Sequence, residues 1–227
     1  PTYHQLCRFH TLVLPVSRKP AEPKLASAAN CQVSSCDRLE DVVTFLGEEG
    51  PKRTFFPAYQ LDDFDQREGT FRGLDPTSIC VASRNGRIIG TAGVWCQRHF
   101  RQTRIRGYIP ILQWIRPAMN LWSRFTGGVQ LPGIGCVLAA DYVCFPVVAN
   151  NDPAVLRVLL QALMQMAAAD TTCLLIGFCE DDPMLTVART MSRSEYTTFL
   201  YAVNWSGFPD ELVGQKIKDY YLELGCL

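Results

Sequence analysis

Two stretches of this sequence combine residue types that can bind an anion. At 150–153, Asn-Asn-Asp-Pro, a predicted strand gives way to a predicted helix, and a helix start attracts negative charge through its free amides and its dipole. Arg104 and Arg106 alternate in a second predicted strand, where both guanidiniums would lie on one face and could clamp a carboxylate or a phosphate. Two simpler interpretations stay open: a capped turn that only starts a helix, and arginines that are solvated or paired with the acidic stretch 62–65.

The first stretch lies within a predicted βαβ unit. Residues 137–149 predict an apolar strand, 152–169 an amphipathic helix that begins with a suitable cap and a proline, and 173–178 a second apolar strand. Such strands are parallel and are joined by a right-handed crossover. Pro146 cannot donate to a ladder, which predicts that the first strand parts from its neighbour there and that a cleft opens.

The rest of the chain predicts antiparallel strands and short helices around this unit. The clearest local signal is Asn85-Gly86 between two β-rich runs, which is typical of a tight hairpin. Residues 109–125 are an apolar, Trp-rich insertion with a helix from Pro117, and we expect this insertion to pack as a flap. Further predicted elements are strands at 7–16, 31–35, 96–108 and 196–205, and helices at 37–47, 183–191 and 210–222.

Composition narrows the class of function. Lys+Arg and Asp+Glu are both 22, so the formal net charge is zero and nucleic acid is not an expected partner. The ten cysteines include no Cys-x-x-Cys pair and the three histidines are not spaced like metal ligands; we therefore expect free thiols, no metal and a cytoplasmic location. No apolar run is long enough to span a bilayer, so no membrane partner is expected. The absent initial Met suggests a piece of something longer.

The order of these elements resembles the GNAT superfamily of acyl-CoA-dependent N-acetyltransferases over roughly residues 31–205. The segments FFPAYQLDDF, ICVASRNGRIIGTAGVW, CQRHFRQTRIRGY, ANNDPAVLRVLL and CEDDPML further resemble the second half of bacterial proteins with two GNAT-like domains in tandem. The resemblance implies an α/β (α+β) fold with a mixed, mostly antiparallel sheet, helices on both faces and a splayed central βαβ unit. It also implies that 1–30 is the closing strand and linker of an upstream GNAT-like domain. Residues 206–227 are expected to form a C-terminal tail or helix.

The resemblance implies a site for acetyl-CoA between the central strand and the next one. The pantetheine would run along the strand and the pyrophosphate would sit on the following turn. This turn departs from the family's Arg/Gln-x-x-Gly-x-Gly/Ala pattern, because it has no glycine and places the Asp152 carboxylate at the anion site. The cofactor-binding residues implied are Phe145, Val147, Val148, Ala149, Asn150, Asn151, Ala154 and Val155.

The same resemblance implies a base for the acceptor amine, an amide dipole on the thioester carbonyl and an acid for the departing thiolate. The family's Tyr on the helix after the second strand has no counterpart at 183–191. We therefore expect Asp141 and Tyr196 to handle protons, with Glu180, His99 and Tyr201 as weaker candidates; Asp141 could instead be a structural carboxylate paired with an arginine.

Two functions follow as hypotheses. The first is an N-acetyltransferase that acts on an unknown small-molecule or protein amine. The second is a non-catalytic GNAT-like module that packs on or regulates its upstream twin.

Overall fold

The structure, a computed structural model, describes residues 2–16, 29–126, 131–205 and 219–227. Its strands are β1 (Thr2–Pro15), β2 (Gln32–Ser35), β3 (Ile79–Arg84), β4 (Arg87–Trp95), β5 (Ala140–Val148), β6 (Cys173–Cys179) and β7 (Ser194–Asn204). Its α-helices are α1 (Leu39–Glu49), α2 (Pro110–Thr126), α3 (Pro153–Met166) and α4 (Met184–Met191). Short 3-10 helices occur at Gly50–Lys52, Leu61–Phe64, Pro76–Ser78, Ala149–Asn151 and Leu224–Cys226.

The strands form one seven-stranded sheet in the order β2-β3-β4-β5-β6-β1-β7. Only β5 and β6 run parallel, and helix α3 is the crossover between them. The predicted hairpin is present as β3 and β4, with both Asn85 and Gly86 at positive φ. The predicted fold class, a mixed and mostly antiparallel sheet with a central βαβ unit, is confirmed.

Helices cover both faces of the sheet because side chains alternate along each strand. On one face, α3 and α4 pack against β3, β5 and β6 through a cluster that includes Leu156, Leu160 and Ile176. On the other face, α1 packs through Val42 and Phe45 onto an aromatic cluster around the fully buried Phe145. The helix predicted at 37–47 is present but begins later, at Leu39 after Arg38.

Strand β1 was predicted at 7–16 as the closing strand of a preceding domain. The structure instead places it inside this sheet, antiparallel to β6 on one side and to β7 on the other. Its register joins Leu12 to Ile176 of β6 and to Glu195 of β7. A strand with two hydrogen-bonded neighbours is an integral part of this domain, whatever precedes it.

Two other local predictions are wrong. Residues 96–108 do not form a strand within the described part of the chain; Arg104 makes only an isolated bridge with Val137. The insertion helix α2 begins at Pro110, seven residues earlier than predicted, and contains Pro117. It is also not a packed flap, because most of its apolar side chains are exposed.

The predicted C-terminal helix lies partly outside the described residues, at 206–218. Its described part is not helical: residues 219–223 are extended, and the 3-10 turn Leu224–Cys226 follows. Tyr220, Tyr221 and Leu224 are buried, so these last residues are part of the core rather than an exposed tail.

Candidate functional site

Strands β5 and β6 are paired at one end and parted at the other. Residues 140–142 pair with 173–175, and beyond Tyr142 no ladder pair joins the two strands in the part of the chain that the structure describes. On its other edge β5 stays paired with β4, with a bulge in which Phe145 and Pro146 oppose Ala92. Phe145 takes a φ of 37° in this bulge. The splay predicted from Pro146 is confirmed.

The last residues of the chain, 219–227, cover this opening; we call them the C-terminal segment. Tyr220 and Leu224 pack with Cys7 and Cys179 over β1 and β6, whereas Tyr221 packs with the aromatic cluster next to β5. The side chains thus alternate between the two sides of the opening, as those of an extended chain do.

Hydrogen bonds to the backbone of the C-terminal segment fix both of its ends. Thr54 donates its N–H to the Asp219 carbonyl (2.9 Å) and accepts the Tyr221 N–H (2.8 Å), which makes a short parallel bridge. At the far end, the side-chain Nε2 of Gln97 donates a hydrogen bond to the Gly225 carbonyl (2.7 Å). The segment is therefore docked in one register rather than loosely packed.

Glu223 is the polar centre of the opening. Its Oε2 accepts the Phe145 N–H (2.8 Å), the Tyr221 hydroxyl (2.8 Å) and the Tyr59 hydroxyl (3.2 Å). Its Oε1 is buried and has no hydrogen-bond partner among the described residues. Burial raises the pKa of Glu223 to about 7, against the lowering effect of the Phe145 amide and the two hydroxyls.

The turn after β5 has the backbone of a glycine-containing turn without the glycines. Asn150 and Asn151 take φ values of 55° and 50°, a conformation that asparagine tolerates better than most residues. Asp152 then caps α3: its Oδ1 accepts the Ala154 N–H (3.0 Å), and its Oδ2 lies 3.6 Å from Arg84. The capped-turn interpretation of 150–153 accounts for these contacts.

A cavity of about 140 Å³ lies between this turn, the start of α4 and the end of α1. Its basic residues are Lys52 and Arg53, and its acidic residues are Glu49, Asp182 and Asp219. Lys52 is already paired with Glu49 at 2.8 Å. Burial raises the pKa of Asp182. Because three of the five charged residues that line it are acidic, the cavity has no excess of positive charge to attract an anion.

The sequence matches no protein-family model and no curated protein. Among solved structures, the chain is similar to a fungal multi-domain GH3 β-N-acetylglucosaminidase that contains a GCN5-related glucosamine N-acetyltransferase region. The TM-score is 0.47 with 10% sequence identity, over 85% of this chain and 20% of that one. This chain therefore corresponds to about a fifth of that protein's length. The likeness concerns the course of the backbone and says nothing about activity.

The residues implied to bind acetyl-CoA divide into buried residues and residues of the turn, and their role stays a prediction. Phe145, Val147 and Val148 are buried, and the N–H of Phe145 is bonded to Glu223. Val155 is a core residue, in contact distance of Gly90 on β4. Ala149, Asn150, Asn151 and Ala154 lie at the turn as predicted. However, the Ala154 N–H is bonded to the Asp152 side chain, and three acidic residues are among those that line the adjoining cavity.

The two predicted catalytic residues are not brought together. Asp141 lies in the paired part of β5, 1% exposed, where Arg98 approaches its Oδ1 to 3.2 Å and the Thr171 hydroxyl donates to its Oδ2. Tyr196 is 51% exposed on β7 and pairs with Thr11 of β1. β6 and β1 separate β7 from the opening, roughly 14 Å at the usual strand spacing. Asp141 is therefore a buried carboxylate held by Arg98 and Thr171, and Tyr196 does not face the opening. The assignment of the two as catalytic residues stays a prediction.

The weaker candidates are also elsewhere. Glu180 is paired with Arg8 on the surface. The His99 ring stacks edge-on against Phe100 and lies beside Gly73, and Tyr201 is half-exposed on β7. The groups that do meet at the opening, Tyr59, Tyr221 and Glu223, were not singled out from the sequence.

Two further findings concern other classes of site. Among the described residues, no group of three or more His, Cys, Asp or Glu side chains could hold a metal ion. Within the same residues, no helix is both long and apolar enough to cross a membrane. All ten cysteines are free thiols, and the Sγ atoms of Cys7 and Cys179 lie 3.1 Å apart on neighbouring strands.

Proposed function

We propose that this chain is a non-catalytic GNAT-like module whose cleft is closed by its own C-terminal segment, and that it packs on or regulates a partner such as the upstream GNAT-like domain implied by the resemblance. One observation carries the proposal: at the centre of the opening, the Glu223 carboxyl group accepts a hydrogen bond from the Phe145 N–H. In the GNAT resemblance, an amide of the central strand is the dipole that would act on a thioester carbonyl. Here that amide already has a buried acceptor.

The turn supports the same conclusion. A pyrophosphate needs backbone N–H groups that are free, yet the Ala154 N–H is bonded to Asp152. It would also meet the carboxyl groups of Asp152, Asp182 and Asp219, whose charges repel it by a few kcal/mol when partly shielded from water.

An exposed aromatic face supports the packing role. Tyr3 on β1 is paired with Val203 on β7, and Phe199 and Tyr201 follow on the same face of β7. All four side chains are exposed. A contiguous exposed apolar face of this kind is typical of a surface that contacts another protein. This face offers a surface on which another domain could pack.

The second candidate is the acetyltransferase itself, acting on an unknown small-molecule or protein amine. It is favoured by the splay of β5 and β6, which leaves an opening where the resemblance implies the cofactor. This candidate requires the C-terminal segment to leave the opening, and it requires the anion site to be supplied by groups other than the 150–153 turn.

Calorimetric titration with acetyl-CoA at low salt tests the proposal. We expect no binding by the wild-type chain at millimolar ligand, together with slow hydrogen exchange of the Phe145 amide because its N–H is bonded to a buried carboxyl group. Micromolar binding by the wild type, abolished by Ala154→Arg at the turn, would overturn the proposal and support the acetyltransferase.

A matched pair of variants separates the two candidates further. Tyr221→Ala/Glu223→Ala weakens the docking of the C-terminal segment, whereas Leu227→Ala changes an exposed side chain at its end. If the double variant gains acetyl-CoA binding while Leu227→Ala does not, the cleft is a working site held closed. If neither variant binds acetyl-CoA although both are folded, the turn itself lacks the groups needed to bind the cofactor.

A further inference from the structure

Helix α2 turns its apolar side away from the part of the protein that the structure describes. The large apolar residues recur at i, i+3, i+4 and i+7, which places them on one stripe of the helix. Trp114 is 86% exposed and Phe125 82% exposed. The other exposed apolar members are Ile111, Ile115, Met119, Leu121 and Trp122. Such a stripe is normally the buried one.

Hydrogen bonds on the opposite side hold the helix in this orientation. Arg116 donates to the Pro132 carbonyl (2.8 Å). Asn120 donates its amide to the Leu131 carbonyl (2.9 Å) and accepts the Leu131 N–H (2.8 Å). The polar side of α2 is thus the one that contacts the protein. Rotation of the helix to bury its aromatic residues would break all three bonds, so the exposed stripe is built into the fold.

The charge around α2 is of one sign. From His99 to Ala140, the part of the sequence that contains α2, there are five arginines and no Asp, Glu or Lys, in a chain whose formal net charge is zero. Arg104 and Arg106 are exposed in the segment that leads into α2, and neither forms an ion pair with any residue that the structure describes. Arginines without carboxylate neighbours favour an anionic partner.

An anionic lipid surface fits these features together. Aromatic side chains such as Trp are enriched in the headgroup region, where the ring contacts both acyl chains and water. A helix of 17 residues is roughly 25 Å long, and its exposed stripe would lie parallel to the membrane plane. A protein partner could also bury the stripe, but it would have to supply the acidic residues that this region lacks.

We propose that α2 lies in the headgroup layer of an anionic membrane, with its apolar stripe facing the acyl chains and with Arg104 and Arg106 facing lipid phosphates. The expectation of no membrane partner considered only helices that span a bilayer, and a helix that lies on the surface is a different case. The inference does not depend on the state of the cleft.

Vesicle flotation tests the proposal with the whole chain. We expect the protein to float with phosphatidylcholine vesicles that contain about one third phosphatidylserine, and to bind roughly tenfold more weakly to pure phosphatidylcholine. Added salt should reduce binding to the anionic vesicles, because the electrostatic part is screened. Failure to float with the anionic vesicles would overturn the proposal.

Matched variants locate the binding surface. Trp114→Ser/Phe125→Ser should weaken binding to anionic vesicles roughly tenfold or more, since both side chains are exposed and would be buried in lipid. The control, Phe199→Ser/Tyr201→Ser, changes two exposed aromatic residues on β7 and should leave binding unchanged. Arg104→Glu/Arg106→Glu should abolish the preference for anionic lipid.

Two outcomes would assign the stripe to something else. If the protein is a dimer in lipid-free buffer and Trp114→Ser/Phe125→Ser makes it monomeric without any vesicle binding by the wild type, a second copy covers the stripe. If vesicle binding is lost in the β7 control and kept in the α2 variant, the lipid-binding surface is elsewhere. Circular dichroism of each variant checks that the fold is intact.

Discussion

The two halves of the β5–β6 pair are closed by different means. At 140–142 the strands are joined by a parallel ladder, and the buried Asp141 is held by Arg98 and Thr171. From Val143 onward the ladder is absent among the described residues, and the C-terminal segment covers the opening with aromatic side chains and one carboxyl group. The first half depends on neighbours in the sheet, whereas the second depends on residues some eighty positions away.

The two halves of this strand pair differ in what satisfies their polar groups. In the closed half, the buried carboxylate of Asp141 is paired with Arg98 and accepts a hydrogen bond from the Thr171 hydroxyl. The open half keeps an amide that β6 does not use, and Glu223 supplies the missing acceptor. The opening is thus the part of the molecule where a ligand, or a piece of chain, must complete the structure.

The largest expected effect tests the closed half. Asp141→Ala leaves the partly buried Arg98 and the Thr171 hydroxyl without their buried acceptor, which should lower the free energy of unfolding by roughly 3–5 kcal/mol. Asp170→Ala removes a carboxylate that is 70% exposed from the same guanidinium and should cost less than about 1 kcal/mol. Urea unfolding of both variants measures the contrast. Equal losses would mean that Asp141 is not the anchor of the closed half.

The open half should instead be sensitive to pH through Glu223. Its pKa is about 7 in the folded protein and near the ordinary 4.5 when unfolded, so the folded state favours the protonated form. This contribution is fully present below about pH 4.5, falls as the pH rises toward 7 and is lost above it. The loss should approach about 3 kcal/mol by pH 8, measured by urea unfolding across this range.

Glu223→Gln is the control for this pH dependence, because it keeps an acceptor for the Phe145 N–H but cannot ionise. The neighbouring Tyr59, Tyr221, Cys144 and Cys226 all have raised pKa values and stay neutral over this range. Asp182 has a raised pKa as well, so a smaller dependence of the same sign should persist in the variant. An unchanged dependence in Glu223→Gln would assign the effect to Asp182 or elsewhere.

The sequence predicted the elements whose signals are local. The Asn85-Gly86 hairpin, the α3 crossover and the splay at Pro146 each depend on a few adjacent residues, and each is present. The position of β1 was not predictable in this way, since its pairing of Phe9 with Cys179 joins residues 170 positions apart. Nothing near β1 indicates which strands it will join.

The opening was predicted, but the segment that covers it was not. Tyr220, Tyr221, Leu222 and Leu224 suit a helix by composition. Their burial shows no period of two, because the segment is covered on both sides. Glu223 is also a residue type that is almost never fully buried unless paired, so its role could not be foreseen without its three partners. α2 was misjudged for the related reason that an apolar stripe normally indicates a buried face.

The smallest expected effect concerns the turn at the end of the open half. Asp152→Ala removes the cap of α3 and the exposed contact with Arg84, and should cost about 1 kcal/mol in urea unfolding. Asp152→Asn keeps the cap and removes only the charge, so its cost should be a fraction of that. A loss as large as that of Asp152→Ala would show that the pairing with Arg84 matters more than the cap. Neither variant should bind acetyl-CoA, because the Phe145 amide stays bonded to Glu223 when the turn has lost its charge.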